Sequence, residues 1–283
     1  MKKILYLLSV ILLLGSCTSD EPVLSAGPMP LVVEGWIEED MAPVVIVTHA
    51  VDLTSETSSF DGFVEKWARV SIYDNGRQYL LSGRVNKDYA TSFVYTSSRL
   101  HGQVGHTYRL VVETETDTVE STVTMLPSPA ITRIETVPAE SCDTLFSLRA
   151  FVDSPAPDAY YKFFSKTNGL EKRFFGTFLG TFAGKDYAES EGYTITRGVH
   201  SAYDDEQSDF SHYYSAGSTV IVKIAAIDRR LYDFWKVFDS NLSLSGNLLF
   251  SFSENCPSNI EGGLGYWAAY GSSVRVVRIP DGK

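Results

Sequence analysis

The sequence predicts a mainly β protein with two β domains, the first an immunoglobulin-like or transthyretin-like sandwich. The second is an antiparallel β domain, sandwich-like or barrel-like, that carries one amphipathic helix. Three observations support this prediction. Apolar residues alternate with period two along many short segments, turn-forming residues separate those segments, and a single segment has helical spacing instead.

The first domain is built from about seven short segments between Leu31 and Thr124 that read as strands. The most specific local signal is Asp74-Asn75-Gly76, because Asn-Gly supplies the positive φ angles that a tight hairpin turn requires. A polar turn at 114–117 predicts a second hairpin. Repeated short strands with turns between them are typical of a small sandwich.

A proline pair separates the two predicted domains. Pro127-Ser128-Pro129 interrupts the strand pattern, and proline cannot donate to a sheet ladder. The sequence therefore predicts domains at 31–128 and 129–283.

The second domain combines strands with one helix. From Asp228 onward, Leu231, Phe234, Trp235 and Phe238 follow the spacing of one helical face, so we expect a helix near 228–241 with Asp228 as its N-cap. The other segments read as strands: 131–137, 144–152, 160–166, 173–182, 219–227 and 273–279. Glycines at 262–265 predict a sharply bent loop before the last strand.

Aromatic residues form the first candidate surface for a ligand or partner: Tyr160, Tyr161, Phe174 and Phe175. Adjacent residues of a strand point to opposite faces of the sheet, so rings lie on both faces of this one. One face belongs to the core. The other is either an interaction surface or is covered by the helix.

The first residues of the chain read as an export signal. Lys2 and Lys3 precede an apolar run, 4–14, that is too short to cross a bilayer. Gly15-Ser16 before Cys17 resembles the lipobox of bacterial lipoproteins. This resemblance implies a cleaved signal peptide at 1–16, lipidation of Cys17 and a tether at 17–30. Two or three acyl chains, palmitate among them, anchor a protein stably.

The charge of the chain excludes a nucleic-acid partner. The formal net charge is −11, and the longest basic clusters are pairs. Binding to phosphates requires clustered Lys and Arg. A polybasic contact with lipid headgroups is excluded in the same way, so membrane attachment falls to the lipid at Cys17.

Two further cysteines remain after lipidation. Cys142 and Cys256 are an even pair in an exported protein, which predicts a disulfide between them. The alternative is a pair of buried thiols.

The sequence contains no catalytic motif with a known spacing and implies no cofactor. An acidic loop carries the only candidates for a metal site: Asp204, Asp205, Glu206 and Asp209. Their spacing matches no EF-hand loop, so a solvated loop is the simpler interpretation, and no metal is predicted. A hydrolase with an unrecognised pair of carboxylates remains the alternative to a non-enzymatic binding protein.

A series of motifs follows the lipobox in a fixed order. In chain order they are Leu31-Val32-Val33-Glu34-Gly35-Trp36-Ile37, Pro43-Val44-Val45-Ile46-Val47, the Asn-Gly hairpin, Gly105-x-x-Tyr108-x-Leu110-x-Val112, the Pro-x-Pro exit, Ile227-Asp228-x-x-Leu231-Tyr232 and Asn259-Ile260-Glu261-Gly262-Gly263-Leu264-Gly265-Tyr266. The series resembles a family of Bacteroidetes outer-membrane lipoproteins of unknown function.

The resemblance implies a location and a partner. Members of that family look like accessory lipoproteins of TonB-dependent transporters, which implies a non-enzymatic accessory or binding role. Asp20-Glu21 after the lipidated cysteine is similar to a surface-export signal of these bacteria, although it departs from the fuller Lys-Asp-Asp pattern. The resemblance thus favours the cell surface over the periplasmic face of the outer membrane.

Overall fold

The computed structural model describes residues 29–50, 60–89, 91–140, 142–198, 211–244 and 255–282. Nearly all regular structure within these ranges is β, which confirms the predicted fold class. No helix in the described ranges is long and apolar enough to cross a membrane. The predicted lipidation site Cys17 and the acidic candidates Asp204, Asp205, Glu206 and Asp209 lie outside the described residues.

Eight strands precede the proline pair and form most of a first sandwich. They are β1 (Leu31–Glu38), β2 (Val44–His49), β3 (Arg69–Asp74), β4 (Arg77–Leu80), β5 (Ser82–Val85), β6 (Phe93–Thr96), β7 (Thr107–Glu113) and β8 (Thr118–Thr124). A short 3₁₀ helix, Phe60–Phe63, lies between β2 and β3. One sheet has the strand order β4-β3-β7-β8, and both predicted hairpins, β3-β4 and β7-β8, are confirmed.

Nine strands and one helix follow the proline pair. They are β9 (Ile131–Ala139), β10 (Cys142–Val152), β11 (Tyr160–Thr167), β12 (Phe175–Ala183), β13 (Tyr193–Ile195), β14 (Tyr214–Ser215), β15 (Thr219–Ile227), α1 (Arg229–Leu244), β16 (Leu264–Tyr270) and β17 (Ser272–Arg278). A 3₁₀ turn, Gly184–Asp186, follows β12. The helix begins where the sequence predicts, because the carboxylate of Asp228 accepts a hydrogen bond from the amide of Leu231.

The second sandwich packs two sheets over its own core. One sheet has the order β13-β10-β14 with β9 beside β10, and the other has the order β12-β11-β15-β17. Between them lie buried apolar side chains that include Leu148, Phe163 and Ile224.

Strand β16 connects the two halves of the chain. It lies within the predicted second domain, yet it pairs in parallel with β1, so the other sheet of the first sandwich has the order β16-β1-β2-β6-β5. Gly265 has a φ of 103° in this strand, and a Cβ there would lie 2.0 Å from the carbonyl oxygen of Val33. The predicted bent loop is therefore part of a strand that pairs closely with β1. The predicted domain border at 128 does not apply to β16, which follows the border in the chain but belongs to a sheet of the first sandwich.

The core of the first sandwich also extends across the border. Buried residues of β1, β3 and β7 belong to the same cluster as Phe164 of β11, Ile227 of β15 and Trp235 of α1. The helix lies against β11, β12 and β16. The two sandwiches are thus packed on each other through the helix and β16.

The predicted disulfide between Cys142 and Cys256 is not formed in the structure. The two sulfur atoms have different neighbours: Cys142 Sγ lies 3.4 Å from Thr144 Oγ1, and Cys256 Sγ lies 3.9 Å from Asn241 Nδ2. Cys142 begins a strand of the second sandwich, whereas Cys256 lies beside the carboxyl-terminal part of the helix.

Candidate functional site

Of the four residues of the predicted aromatic surface, one is buried and three are half-buried. Tyr161 is 3% exposed and packs in the core of the second sandwich, whereas Tyr160 is half-buried on the opposite face, where its ring contacts Tyr232 of α1. Phe174 and Phe175 are also half-buried. Of the two alternatives for this face, the helix contact is present at Tyr160, and Phe174 packs against the buried cluster that includes Trp235 of the helix.

The same sheet face carries buried charges where the two sandwiches and the helix meet. We call this group of side chains the ionic layer: Glu34 and Glu38 of β1, Lys162 of β11, Lys223 of β15 and Asp239 of α1. Strand alternation explains its position. Lys162 lies one residue from both Tyr161 and Phe163, which face the second core, so its own side chain points toward the helix.

Lys162 and Asp239 form the innermost ion pair. The ammonium group donates to both carboxylate oxygens at 3.1 and 3.0 Å and to the carbonyl of Thr177 at 3.0 Å. Thr181 Oγ1 donates to the same carboxylate at 2.9 Å. Burial lowers the pKa of Lys162 to about 8, although the charge of Asp239 opposes this change. The carboxylate of Asp239 therefore balances the charge of the Lys162 ammonium group inside the protein.

Lys223 and Glu38 form the pair that joins the sandwiches. Lys223 Nζ lies 2.7 Å from Glu38 Oε2, and the lysine side chain is 2% exposed. Burial lowers the pKa of Lys223, and Glu38 opposes this change. Three aromatic rings surround the ammonium group, with centroids 4.4 to 5.7 Å away: Phe164, Phe174 and Tyr270.

Glu34 lies four residues before Glu38 on the same face of β1. Burial raises the pKa of Glu34, and Arg173 and a hydrogen bond donated by Tyr266 oppose this change. The Tyr266 hydroxyl lies 3.3 Å from Glu34 Oε1. A rise of about 3.3 Å per strand residue puts the Cα atoms of Glu34 and Glu38 roughly 13 Å apart.

Half-buried aromatic rings border the ionic layer at its outer side. Trp36 contacts Tyr89 with ring centroids 5.8 Å apart. The guanidinium of Arg173 lies 5.2 Å from the Tyr89 ring and 4.7 Å from the Phe175 ring. Arg173, whose charge acts on Glu34, is thus held between aromatic rings that cover this side of the ionic layer.

A third buried ion pair lies in the second sandwich. Arg197 Nε donates to Glu171 Oε1 at 2.8 Å, and both side chains are buried. Nearby, a shallow depression of about 210 Å³ is lined by residues that include Thr167, Tyr213 and Ser218. In the described ranges, no group of three or more His, Cys, Asp or Glu side chains is arranged to hold a metal ion.

The ionic layer is not among the sites predicted from the sequence, although the sequence contains two signals for it. Lys162 interrupts a run of aromatic residues at 160–164, and Lys223 interrupts an apolar strand. Asp239 continues the spacing of Leu231 and Trp235 at four-residue intervals, so it lies on the buried face of the helix. A charge at a core position predicts a buried partner, but the sequence does not say which residue that partner is.

Comparison with known proteins gives one family and a distant structural likeness. The model of a family described as a domain of unknown function (DUF4249) matches residues 20–275. No curated protein matches the chain. A two-domain fibronectin type-III segment of chicken tenascin has a TM-score of 0.20 at 12% identity, with 70% of this chain and 90% of that one covered. The FN1–FN3 domains of chicken CNTN1 have a TM-score of 0.22 at 7% identity, and the match covers 71% of this chain and 62% of that one.

Proposed function

The chain belongs to the DUF4249 family, a domain of unknown function, and we propose that it is a lipid-anchored, non-enzymatic binding protein of the outer membrane. In this proposal residues 1–16 are removed, Cys17 carries the acyl chains and 17–30 form the tether. The partner is a TonB-dependent transporter, on which the two sandwiches dock.

One observation carries the non-enzymatic part of the proposal. Each fully buried charged side chain of the described ranges has a partner of opposite charge: Lys162 with Asp239, Lys223 with Glu38 and Arg197 with Glu171. Perturbed pKa values mark catalytic sites, but structural ion pairs perturb them in the same way. Here each shifted lysine has a carboxylate at salt-bridge distance, which supports a structural role.

The anchor and the partner are tested together by purification from membranes. We expect the wild-type protein to incorporate labelled palmitate and to retain a TonB-dependent transporter through purification. Cys17→Ala removes the thiol that is lipidated, so this variant loses both the label and the transporter. Cys142→Ala is the matched control, because it removes a half-buried thiol outside the lipobox. Label in the Cys17→Ala variant, or no transporter with the wild type, would contradict the proposal.

The orientation on the membrane is tested separately. We propose that the protein faces the cell surface, so protease added to whole cells should digest it, while a periplasmic marker stays intact. Protection until the outer membrane is permeabilised would place it on the periplasmic face.

The hydrolase alternative makes a different prediction. A purified enzyme would hydrolyse glycoside or ester substrates, and changes at paired carboxylates would abolish the turnover. A binding protein shows no turnover that depends on Glu34 or Glu38.

A further inference from the structure

Strand β17 forms an open edge of the second sandwich. It is the last strand in the order β12-β11-β15-β17, and within the ranges that the structure describes it pairs only with β15. An edge strand has a row of backbone N–H and C=O groups that a further strand can pair with. At seven residues, β17 is long enough for an added strand to form several such hydrogen bonds.

The edge lacks the features that usually protect such strands. The sequence Ser-Ser-Val-Arg-Val-Val-Arg contains neither proline nor lysine, its two arginines are its only charged residues, and Val274 and Val276 are 52% and 61% exposed on one face. Strand β5, which ends the other sandwich, has only four residues. Short edges are themselves protected, so β17 is the better candidate for strand addition.

The charge of the edge indicates which strand it accepts. Arg275 is exposed, and β17 carries no acidic residue in a chain of net charge −11. Arg278 is 65% exposed, and its one ion-pair partner in the described ranges, Asp281 at 3.6 Å, is 89% exposed, so solvent screens that pair. In a centred antiparallel pair of two copies, Arg275 would lie opposite Arg275 of the second copy. Like charges opposite each other destabilise a sheet, whereas opposite charges stabilise it.

We propose that β17 binds an extended acidic segment of the partner protein as an additional strand. The inference rests on the proposed function and deepens it, because it names the surface of this chain that docks. In antiparallel register the segment has a carboxylate opposite Arg275 and another opposite Arg278. Apolar residues lie opposite Val274 and Val276. Backbone hydrogen bonds supply affinity, and this alternation supplies specificity.

The probe for this proposal is a capped synthetic peptide with the central sequence Glu-Thr-Val-Glu-Val, which fits that register. We expect it to slow amide hydrogen exchange in 272–278 of the mature chain. A peptide with lysine in place of glutamate should not do so. Arg275→Glu should weaken binding of the glutamate peptide roughly tenfold and restore binding of the lysine peptide.

Matched variants on β5 control for general effects of charge and bulk. Arg84→Glu and Val85→Lys change exposed residues of the other edge and should leave peptide binding unchanged.

Since Arg275 also donates to the carbonyl of Ile131, thermal unfolding checks the fold of its variant. Val276→Lys replaces an exposed apolar side chain with lysine and should weaken binding as well, because the apolar contact with the added strand is lost and lysine on an edge strand opposes strand addition. Unchanged exchange in 272–278, or equal binding of the glutamate peptide to Arg275→Glu, would overturn the proposal.

Purification from membranes separates this inference from the proposed function. A transporter retained by the wild type and by Val85→Lys, but lost by Val276→Lys, supports both. If Val276→Lys retains as much transporter as the wild type, β17 is not the docking surface, which overturns this inference but not the proposed function. If the wild type retains no transporter, the proposed function fails. The peptide experiment alone then shows whether β17 binds an added acidic strand. Concentration-dependent dimers that Val276→Lys abolishes would show that a second copy occupies β17, which would also overturn the proposal.

Discussion

The ammonium group of Lys223 on β15 lies 2.7 Å from the carboxylate of Glu38 on β1, a residue 185 positions earlier in the chain. The lysine belongs to the second sandwich and the glutamate to the first. Because Lys223 is almost completely buried, its charge depends on this partner and on the surrounding rings. The pair is therefore a specific contact that fixes one sandwich against the other.

We expect Lys223→Met to lower the free energy of unfolding by about 2 kcal/mol, because it leaves Glu38 partly buried without a counter-charge. Replacing both residues, as Glu38→Gln with Lys223→Met, should recover at least half of that loss, since neither charge then remains. Urea denaturation of the two single variants and the double variant measures the coupling. If the loss of unfolding free energy in the double variant equals the sum of the two single losses, Lys223 and Glu38 do not stabilise each other.

Asp239→Asn should be more costly at low pH than at high pH. Burial already lowers the pKa of Lys162 to about 8 with the carboxylate present, and removing it lowers the pKa further. At pH 6 the variant therefore loses an ion pair, at a cost of about 3 kcal/mol. Above pH 8, Lys162 is largely neutral in both proteins, so the difference in unfolding free energy narrows.

The control for that experiment is Asp233→Asn on the same helix. Its partner Arg229 is exposed, and Asp233 is 41% exposed, so solvent screens the pair and only a small change is expected. A loss at Asp239 that is equal at pH 6 and pH 9 would contradict the assignment of Lys162 as its charged partner.

Glu34→Gln should make stability less dependent on pH. Burial raises the pKa of Glu34 in the folded chain above its unfolded value near 4.5. The folded protein therefore holds a proton that the unfolded chain releases, and this contribution is present at low pH and is lost as the pH rises through the folded pKa. The glutamine variant should thus gain stability relative to the wild type as the pH rises from about 4.5 through the folded pKa. Glu39→Gln, at an exposed neighbouring position, should show no such gain.

Gly76→Ala should destabilise the first sandwich by about 1 kcal/mol. Gly76 has a φ of 79° and open space around the position of a Cβ, so the cost is that of the backbone conformation alone. Gly62 also has open space but no positive φ, and Gly62→Ala is the control. Equal unfolding temperatures for the two variants would contradict this account of the hairpin turn.

Local patterns in the sequence predicted the local structure well. The Asn75-Gly76 turn and the helix that begins after Asp228 are each determined by a few adjacent residues, through φ preference and capping. The parallel pairing of β16 with β1 was not predicted, because it joins segments more than 200 residues apart. Nothing in the spacing of either segment indicates its partner.

The side-chain contacts of the ionic layer could not be predicted from the sequence for the same reason. The sequence places Lys162 and Lys223 in strands, but their partners depend on how the helix and β1 pack against those strands. The burial of Phe174 likewise follows from that packing. A single sequence therefore predicts the elements here, while the interior contacts come from their assembly.

The most direct test of the account uses the double variant Glu38→Gln with Lys223→Met in membranes. If the buried charges serve the fold and the surface serves binding, this variant remains folded and retains the TonB-dependent transporter at the wild-type level. A double variant that unfolds at the wild-type temperature but loses the transporter would contradict the account, because the charges would then act in function directly.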